Sequence, residues 1–264
     1  MAPSVLQDLR ANALRDRLAA VAEETAALIL PYWRSGTVAR AKADLSPVTE
    51  ADQRAEALIL ARLLPLYPEV GAVGEEMAAD GGLPSSPPGD LYWLIDPLDG
   101  TRGFVEGKPG FTVNIALIHG DRTVAGVVSA PASGITWASG VDQGAPAAFR
   151  RAFGGVWEPV RVRPRPPRAS AVVSHSLSAA EAQALADRYG CSDWSCEDSS
   201  LKFCQVAEGR FDAYPRTGPT SEWDTAAGQA VLEAAGGRVL APDGGPLRYG
   251  KPGWRNGAFV ALGG

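Results

Sequence analysis

Three acidic clusters in this chain carry the residue types that bind hard divalent cations. They are Glu75-Glu76 after Gly74, Asp96 and Asp99 within Asp-Pro-Leu-Asp-Gly-Thr at 96–101, and Asp224 after Trp223. Magnesium takes oxygen ligands in near-octahedral geometry and keeps several waters, so carboxylates and a phosphate oxygen suit it. Two such ions about 4 Å apart can hold both the attacking and the leaving oxygen of a phosphoryl displacement. One segment cannot surround two ions, so that chemistry needs carboxylates converging from separate parts of the chain. An Asp-Gly pair alone is usually a turn, and two glutamates alone are usually a solvated loop. The signal lies in their combination.

The segment from Asp96 to Thr101 fits the requirement most closely. The apolar run Leu91–Ile95 leads straight into it and delivers it to the end of a strand, where functional loops are commonly presented. Pro97 imposes an irregular turn, which frees Asp96 and Asp99 from pointing to opposite faces. Gly100 lets a phosphate approach the backbone closely. If a helical turn begins after Asp99, the N–H groups of Gly100 and Thr101 face an anion, and the Thr101 hydroxyl can orient a water.

Around these residues the chain alternates helices and strands. Leu6, Leu9, Leu14, Leu18, Val21 and Leu28 recur near helical spacing, so one helix is expected over Val5–Leu30, with Pro31 marking its end. A second helix is expected over Glu50–Leu64, capped by Thr49 and stopped by Pro65. Gly81–Asp90, rich in proline, serine and glycine, reads as a loop. Phe111–Ile118 and Thr123–Pro131 read as strands joined by a turn at Gly120-Asp121. Arg161–Arg168, with its three prolines, reads as a connection between two lobes, 1–160 and 161–264. Beyond it come a strand at Ala171–Ser174 and helices over Ala179–Arg188 and Ser200–Glu208. A last helix runs from Trp223 to the Gly236-Gly237 stop. The alternation predicts a layered α/β or α+β fold.

Composition narrows the function classes. The chain has 264 residues, 45% of them hydrophobic and 21% charged, and a formal net charge of -5. That charge gives no electrostatic reason to bind nucleic acid or an acidic membrane. No apolar run reaches transmembrane length, and the charged N-terminal segment is unlike a signal peptide. A cytoplasmic protein is expected, with peripheral association at the inner membrane still compatible. Three cysteines without metal-finger spacing are expected to be reduced thiols. Trp223 reads as a packing anchor and Cys204 as a small buried side chain.

These motifs resemble the inositol monophosphatase superfamily. Gly-Glu-Glu at 74–76, Asp-Pro-Leu-Asp-Gly-Thr at 96–101 and Trp-Asp-Thr-Ala-Ala-Gly at 223–228 occur in the superfamily's order. Within it the chain is similar to the CysQ-type 3'(2'),5'-bisphosphate nucleotidases. The further stretches are Ser46-Pro-Val-Thr-Glu-Ala-Asp52, Tyr92-Trp-Leu-Ile-Asp96, Gly110-Phe-Thr-Val-Asn-Ile-Ala-Leu-Ile118, Ser199-Ser-Leu-Lys-Phe-Cys204 and Tyr214-Pro-Arg with Gly218-Pro-Thr220. The resemblance implies an αβαβα sandwich with its site between the lobes. Two or three Mg²⁺ ions would be held by Glu75, Asp96, Asp99, Asp224 and the Leu98 carbonyl. Thr101, Asp52 and Glu76 would activate the attacking water. Asp99, Gly100, Thr101, Ser174, Lys202 and Asp224 would contact a small phosphorylated substrate, in the first instance 3'-phosphoadenosine 5'-phosphate. A place in sulfate assimilation and inhibition by lithium are implied with it.

One stretch departs from the pattern. Ser174-His-Ser-Leu177 stands where the nucleotidases carry Ser-Arg-Ser-His, so an arginine fork near a second phosphate is missing, though Lys202 and Arg216 can supply charge. An inositol-phosphate or sugar-phosphate phosphatase is therefore the alternative within the superfamily. The haloacid-dehalogenase type also carries Asp-Gly-Thr, but it places its two aspartates two residues apart, where here the spacing is three with proline between. An inert phosphate-binding scaffold would have lost a carboxylate, and none of the five key residues is missing.

Overall fold

The computed structural model describes residues 4–36, 40–41, 47–79 and 82–264. Ser46 of the family stretch and Gly81 at the start of the expected loop lie outside the described residues. The helices are α1 (Val5–Arg10), α2 (Ala13–Ser35), α3 (Glu50–Leu63), α4 (Glu75–Ala79), α5 (Thr101–Val105), α6 (Ala179–Arg188), α7 (Leu201–Ala207) and α8 (Trp223–Ala234). Strands β1 (Arg40–Ala41) and β2 (Pro47–Val48) form a small ribbon, and β13 (Thr220–Ser221) pairs with β15 (Arg255–Asn256) in another.

The large sheet has seven strands in the order β3 (Gly71–Gly74), β4 (Leu91–Asp99), β5 (Thr112–His119), β6 (Arg122–Ala130), β7 (Ile135–Asp142), β8 (Ala145–Ala152) and β9 (Glu158–Val160). Only β3 and β4 run parallel; the others form an antiparallel meander. The smaller sheet is ordered β11 (Cys191–Glu197), β10 (Ala169–Ser174), β12 (Ala213–Arg216), β16 (Phe259–Leu262) and β14 (Arg238–Leu240).

Strand β4 shows why the sheets stack as they do. It is apolar throughout because both of its faces are covered. Trp93 and Ile95 turn toward a core shared with α1, α2 and α3, whereas Tyr92 and Leu94 turn toward a core shared with α7 and α8. The second core also receives Tyr214, Val239 and Phe259 from the smaller sheet. Helix α6 closes the outer face of that sheet with Ala182, Leu185 and Ala186. The sequence of layers is therefore α, β, α, β, α, as expected. The expected connection at 161–168 has no regular structure.

The N-terminal region corrects the sequence reading twice. The expected single helix is two, because Asn12 takes a left-handed conformation (φ 61°) and its side chain bonds the Val141 backbone in both directions, at 2.8 and 2.7 Å. Pro31 does not end the helix but lies inside α2. An internal proline costs a helix about 3 kcal/mol. Beyond it Trp33 packs on Phe111 with ring centroids 5.4 Å apart, and that burial keeps the last turn in place.

Candidate active site

The register of β4 against β5 explains how two aspartates three residues apart reach one place. Asp96 pairs with Asn114 and Asp99 with Thr112, so three steps on β4 match two on β5. Pro97 has no N–H to donate to the ladder, and the extra residue forms a bulge that re-aims the chain. Leu98 then turns into the α1–α3 core while its N–H donates to Asp96 Oδ1 at 3.1 Å. Gly100 follows at φ 94°, a conformation that favours glycine, and a Cβ there would lie 2.6 Å from Ser199 Oγ. A short helix begins at once with Thr101, as the sequence reading required.

Helix α3 supplies the neighbour of Thr101. Asp52 Oδ2 accepts from the Thr49 N–H (2.8 Å) and hydroxyl (2.6 Å), which caps the helix. Its other oxygen accepts from Thr101 Oγ1 at 3.1 Å, and that hydroxyl also lies 3.0 Å from the Leu98 carbonyl. Burial raises the Asp52 carboxyl above its ordinary range and Glu75 adds to this, while the Thr49 and Thr101 bonds oppose it.

One turn along α3 stands Glu56, which sequence reasoning missed. It is buried, and its carboxylate accepts from the Glu76 N–H at 2.9 Å and the Met77 N–H at 2.8 Å. Those are orphan donors at the start of α4, so Glu56 sets where Glu75 and Glu76 stand. A Cβ at Gly74 would overlap the Glu56 carboxylate, which gives that glycine its reason. The signal in the sequence was Asp52 and Glu56 one turn apart among buried alanines and Ile59, a spacing that places an acid on the apolar face.

Asp224 comes from the start of α8, where its Oδ2 accepts from the Ser221 N–H at 2.8 Å. The carboxylates affect one another strongly. Burial, then Glu75, Asp99 and Asp224, push Asp96 well above the usual carboxylate range. Burial also pushes Asp224 well up, with Asp99 and Glu75 adding to it and Arg216 opposing. Asp99 is raised to about 6 by burial, against the pull of Lys202 and the Ser200 N–H, which bonds it at 2.8 Å. Lys202 is itself buried and lowered to about 8, its ammonium bonded to the Glu197 carbonyl at 3.1 Å and set over the Tyr214 ring at 5.3 Å. Among the described residues no three His, Cys, Asp or Glu side chains stand together closely enough to hold a metal ion by themselves.

Ser174, another expected site residue, takes no part in these contacts. Its hydroxyl pairs with Ser176 Oγ at 3.0 Å, and the neighbouring His175 Nδ1 stands 3.0 Å from Asp198 Oδ1. His175 and Asp198 line a cavity of about 410 Å³ together with Lys108, Gly110, Glu197 and Leu201. The Gly110 carbonyl accepts from Ser199 Oγ at 2.6 Å, and the same hydroxyl lies 3.0 Å from the Asp99 carbonyl. This cavity therefore opens beside the Asp99–Thr101 turn, with the volume of a small-molecule pocket.

The model of the inositol monophosphatase family matches residues 13–259. The chain belongs to that family. It is 41% identical over 216 residues to the 3'(2'),5'-bisphosphate nucleotidase CysQ of Escherichia coli (strain K12), covering 79% of this chain and 81% of that one. Among solved structures it is similar to CysQ from Bacteroides thetaiotaomicron, with a TM-score of 0.76 and 30% identity over 96% of this chain and 97% of that one. It is also similar to the inositol monophosphatase of Anabaena (Nostoc) sp. PCC 7120, with a TM-score of 0.74 and 25% identity over 99% and 92% of the two chains. Inositol monophosphatase family enzymes are metal-dependent. The donor set here fits a hard cation, since it consists of carboxylate and carbonyl oxygens whose mutual repulsion a positive charge would relieve.

Proposed function

We propose that this chain is a magnesium-dependent phosphatase that removes the 3'-phosphate of 3'-phosphoadenosine 5'-phosphate, giving AMP and inorganic phosphate. The observation that carries the phosphatase reading is the convergence of Glu75, Asp96, Asp99 and Asp224 from α4, β4 and α8 onto one mutually repelling cluster beside the Gly100 turn. The identity to nucleotidases supports the choice of substrate.

In this reading Glu75, Asp96, Asp99, Asp224 and the Leu98 carbonyl hold two or three Mg²⁺ ions. When bound, these would offset charge on the transferring phosphoryl group and favour hydroxide over water. The protein's own groups do the positioning. Gly100 and Thr101 receive the scissile phosphate at the start of α5. Thr101 Oγ1 orients the attacking water and, by donating to Asp52, passes its proton demand to a carboxylate already raised by burial. Glu76, also buried, serves the same water in this reading. The water oxygen attacks phosphorus in line, the phosphorus–oxygen ester bond breaks, and the 3'-oxygen leaves and takes a proton from solvent, balancing the one that the attacking water gave up. Lys202 supplies positive charge for the second phosphate, and Ser174, next in the chain to His175 of the cavity wall, contacts the rest of the substrate.

The chain divides in this proposal into lobes 1–160 and 161–264, with the site between them. It acts in the cytoplasm, recycling a by-product of sulfate assimilation, and lithium inhibits it. Peripheral membrane association is not part of the proposal; among the described residues no helix is long and apolar enough to cross a membrane. A second reading, an inositol-phosphate phosphatase, is favoured by His175, whose ring is engaged by Asp198 and gives no arginine fork.

Phosphate release from 3'-phosphoadenosine 5'-phosphate, inositol 1-phosphate and fructose 1,6-bisphosphate, with Mg²⁺ and with EDTA, tests the proposal. Preference for the nucleotide is expected, lost in EDTA and in Asp99→Asn. Preference for inositol phosphate would replace the substrate and keep the mechanism. Release that persists in EDTA would remove the metal from it.

A further inference from the structure

Glu222 stands two residues ahead of Asp224, and its side chain is wholly buried. A carboxylate taken out of water needs partners. The Gly250 N–H bonds one oxygen at 2.7 Å, the Lys251 N–H bonds the other at 3.0 Å, and the Lys251 ammonium lies 2.6 Å from that second oxygen. The backbone N–H of Glu222 donates in turn to the Trp254 carbonyl at 2.9 Å. The residue is thus fastened through both its side chain and its backbone to one strap of chain, 249–254.

That strap lies against the first lobe. The Trp254 indole N–H donates to the Pro84 carbonyl at 2.8 Å, and its ring meets Tyr92 edge-on with centroids 5.8 Å apart. Gly250, at φ 78°, passes so close to Pro87 that a Cβ would lie 2.9 Å from its ring. Tyr92 and Pro87 belong to the chain between α4 and the site end of β4, the two elements that carry Glu75, Asp96 and Asp99. Glu222 therefore connects the start of α8 to the lobe that holds the other acids.

The connection has a load to resist. Asp99 and Glu75 repel Asp224 across the site, and a helix end carrying that charge is driven outward unless something behind it holds. The β13–β15 ribbon holds the same helix end from the other side, through Asn256 to Ser221 and Thr225 at 3.0 and 2.9 Å, and the buried face of α8 packs on the large sheet.

We infer that Glu222 is a positioning residue for Asp224, holding it at the reach of a divalent cation by tying helix α8 to the strap and through the strap to the first lobe. This rests on the reading of Asp224 as a metal ligand. Outer partners of this kind commonly change metal affinity by about 10–100-fold when removed.

Isothermal titration of the full-length protein with Mn²⁺ tests it, alongside activity against Mg²⁺ concentration. Glu222→Gln keeps the size of the side chain and removes its charge. The expected result is a rise of about tenfold in the Mn²⁺ Kd and in the half-activating Mg²⁺, with KM for the nucleotide at saturating Mg²⁺ changed less than about twofold. In an Asp224→Asn background the same substitution is expected to change the Kd no further, because both act through one carboxylate. A lower Tm with an unchanged Kd would make Glu222 merely structural and overturn the inference, as would a full effect in the Asp224→Asn background. If Glu222→Gln does not fold, Lys251→Gln leaves both backbone bonds in place and carries the same expectation, with the same double substitution as its check. An Asp224→Asn protein that binds Mn²⁺ like the parent would instead overturn the metal-ligand reading itself.

Discussion

At the scale of single residues, the site holds its acids at a cost to the metal-free fold. Asp96 is 1% exposed, and its carboxyl is raised by burial and by three acidic neighbours. Replacing it with asparagine removes that repulsion while leaving a side-chain oxygen for the Leu98 N–H. Asp96→Asn is expected to unfold later than the parent in EDTA, by about 0.5–2 kcal/mol, and to lose its metal-dependent activity. Urea melts with and without Mg²⁺ check this, and a destabilised variant in EDTA would contradict the repulsion. The individual acids were legible in the sequence because their neighbours named them: proline and glycine around Asp96 and Asp99, tryptophan before Asp224. Glu56 and Glu222 were not. Each sits inside a helix pattern or before one, where a glutamate ordinarily faces water, and only the fold shows that backbone N–H groups close over both.

At the scale of elements, the position of Asp224 depends on how closely α8 lies against β6. Gly126 makes that approach possible: a Cβ there would lie 2.7 Å from the Ala227 carbonyl and 2.8 Å from the Ala230 Cβ. Backbone on the far side cannot yield as a side chain can. Gly126→Ala is expected to cost about 1–3 kcal/mol in stability and to weaken Mn²⁺ binding by displacing the helix. Thermal melts and titration read the two effects separately, and an unchanged Tm would show that the layers slide freely. The central strands β4, β5 and β6 were readable as apolar runs because they are covered on both faces. Strand β11 was not, since its sequence Cys-Ser-Asp-Trp-Ser-Cys-Glu has no period and it lies exposed at a sheet edge. Pro31 misled for the opposite reason: its local rule is sound, but packing of the turn beyond it prevailed.

At the scale of the whole molecule, the irregular chain that leads from the large sheet to the smaller one is pinned by an ion pair. Arg163 donates to Asp212 through Nε and Nη2, each at 2.8 Å, and the Ser170 N–H adds a third bond of 2.8 Å. Desolvation pushes the Asp212 carboxyl up, but these bonds and the charges of Arg163 and Arg165 outweigh it and hold it below the ordinary value. A depressed carboxyl stabilises the fold above its unfolded pKa of about 4, and that contribution is lost as pH falls through the folded value. Asp212→Asn is therefore expected to cost about 1–2 kcal/mol at pH 7, a figure reduced for the exposure of Arg163, and less toward pH 3. Chemical denaturation across that range checks the sign; a constant difference would show that charge plays no part.

The order in which the acids occur along the chain also bears on how the protein is made. A ribosome that has released residues 1–160 has produced Asp52, Glu75, Glu76, Asp96, Asp99 and Thr101, but not Asp224. Domains generally fold as they emerge, N-terminal part first. Under the proposed assignment, the emerging lobe presents an incomplete set of ligands, and hydrolysis of the cell's phosphate esters begins only when the rest of the chain has docked. Truncations before α8 should therefore abolish activity outright rather than grade it.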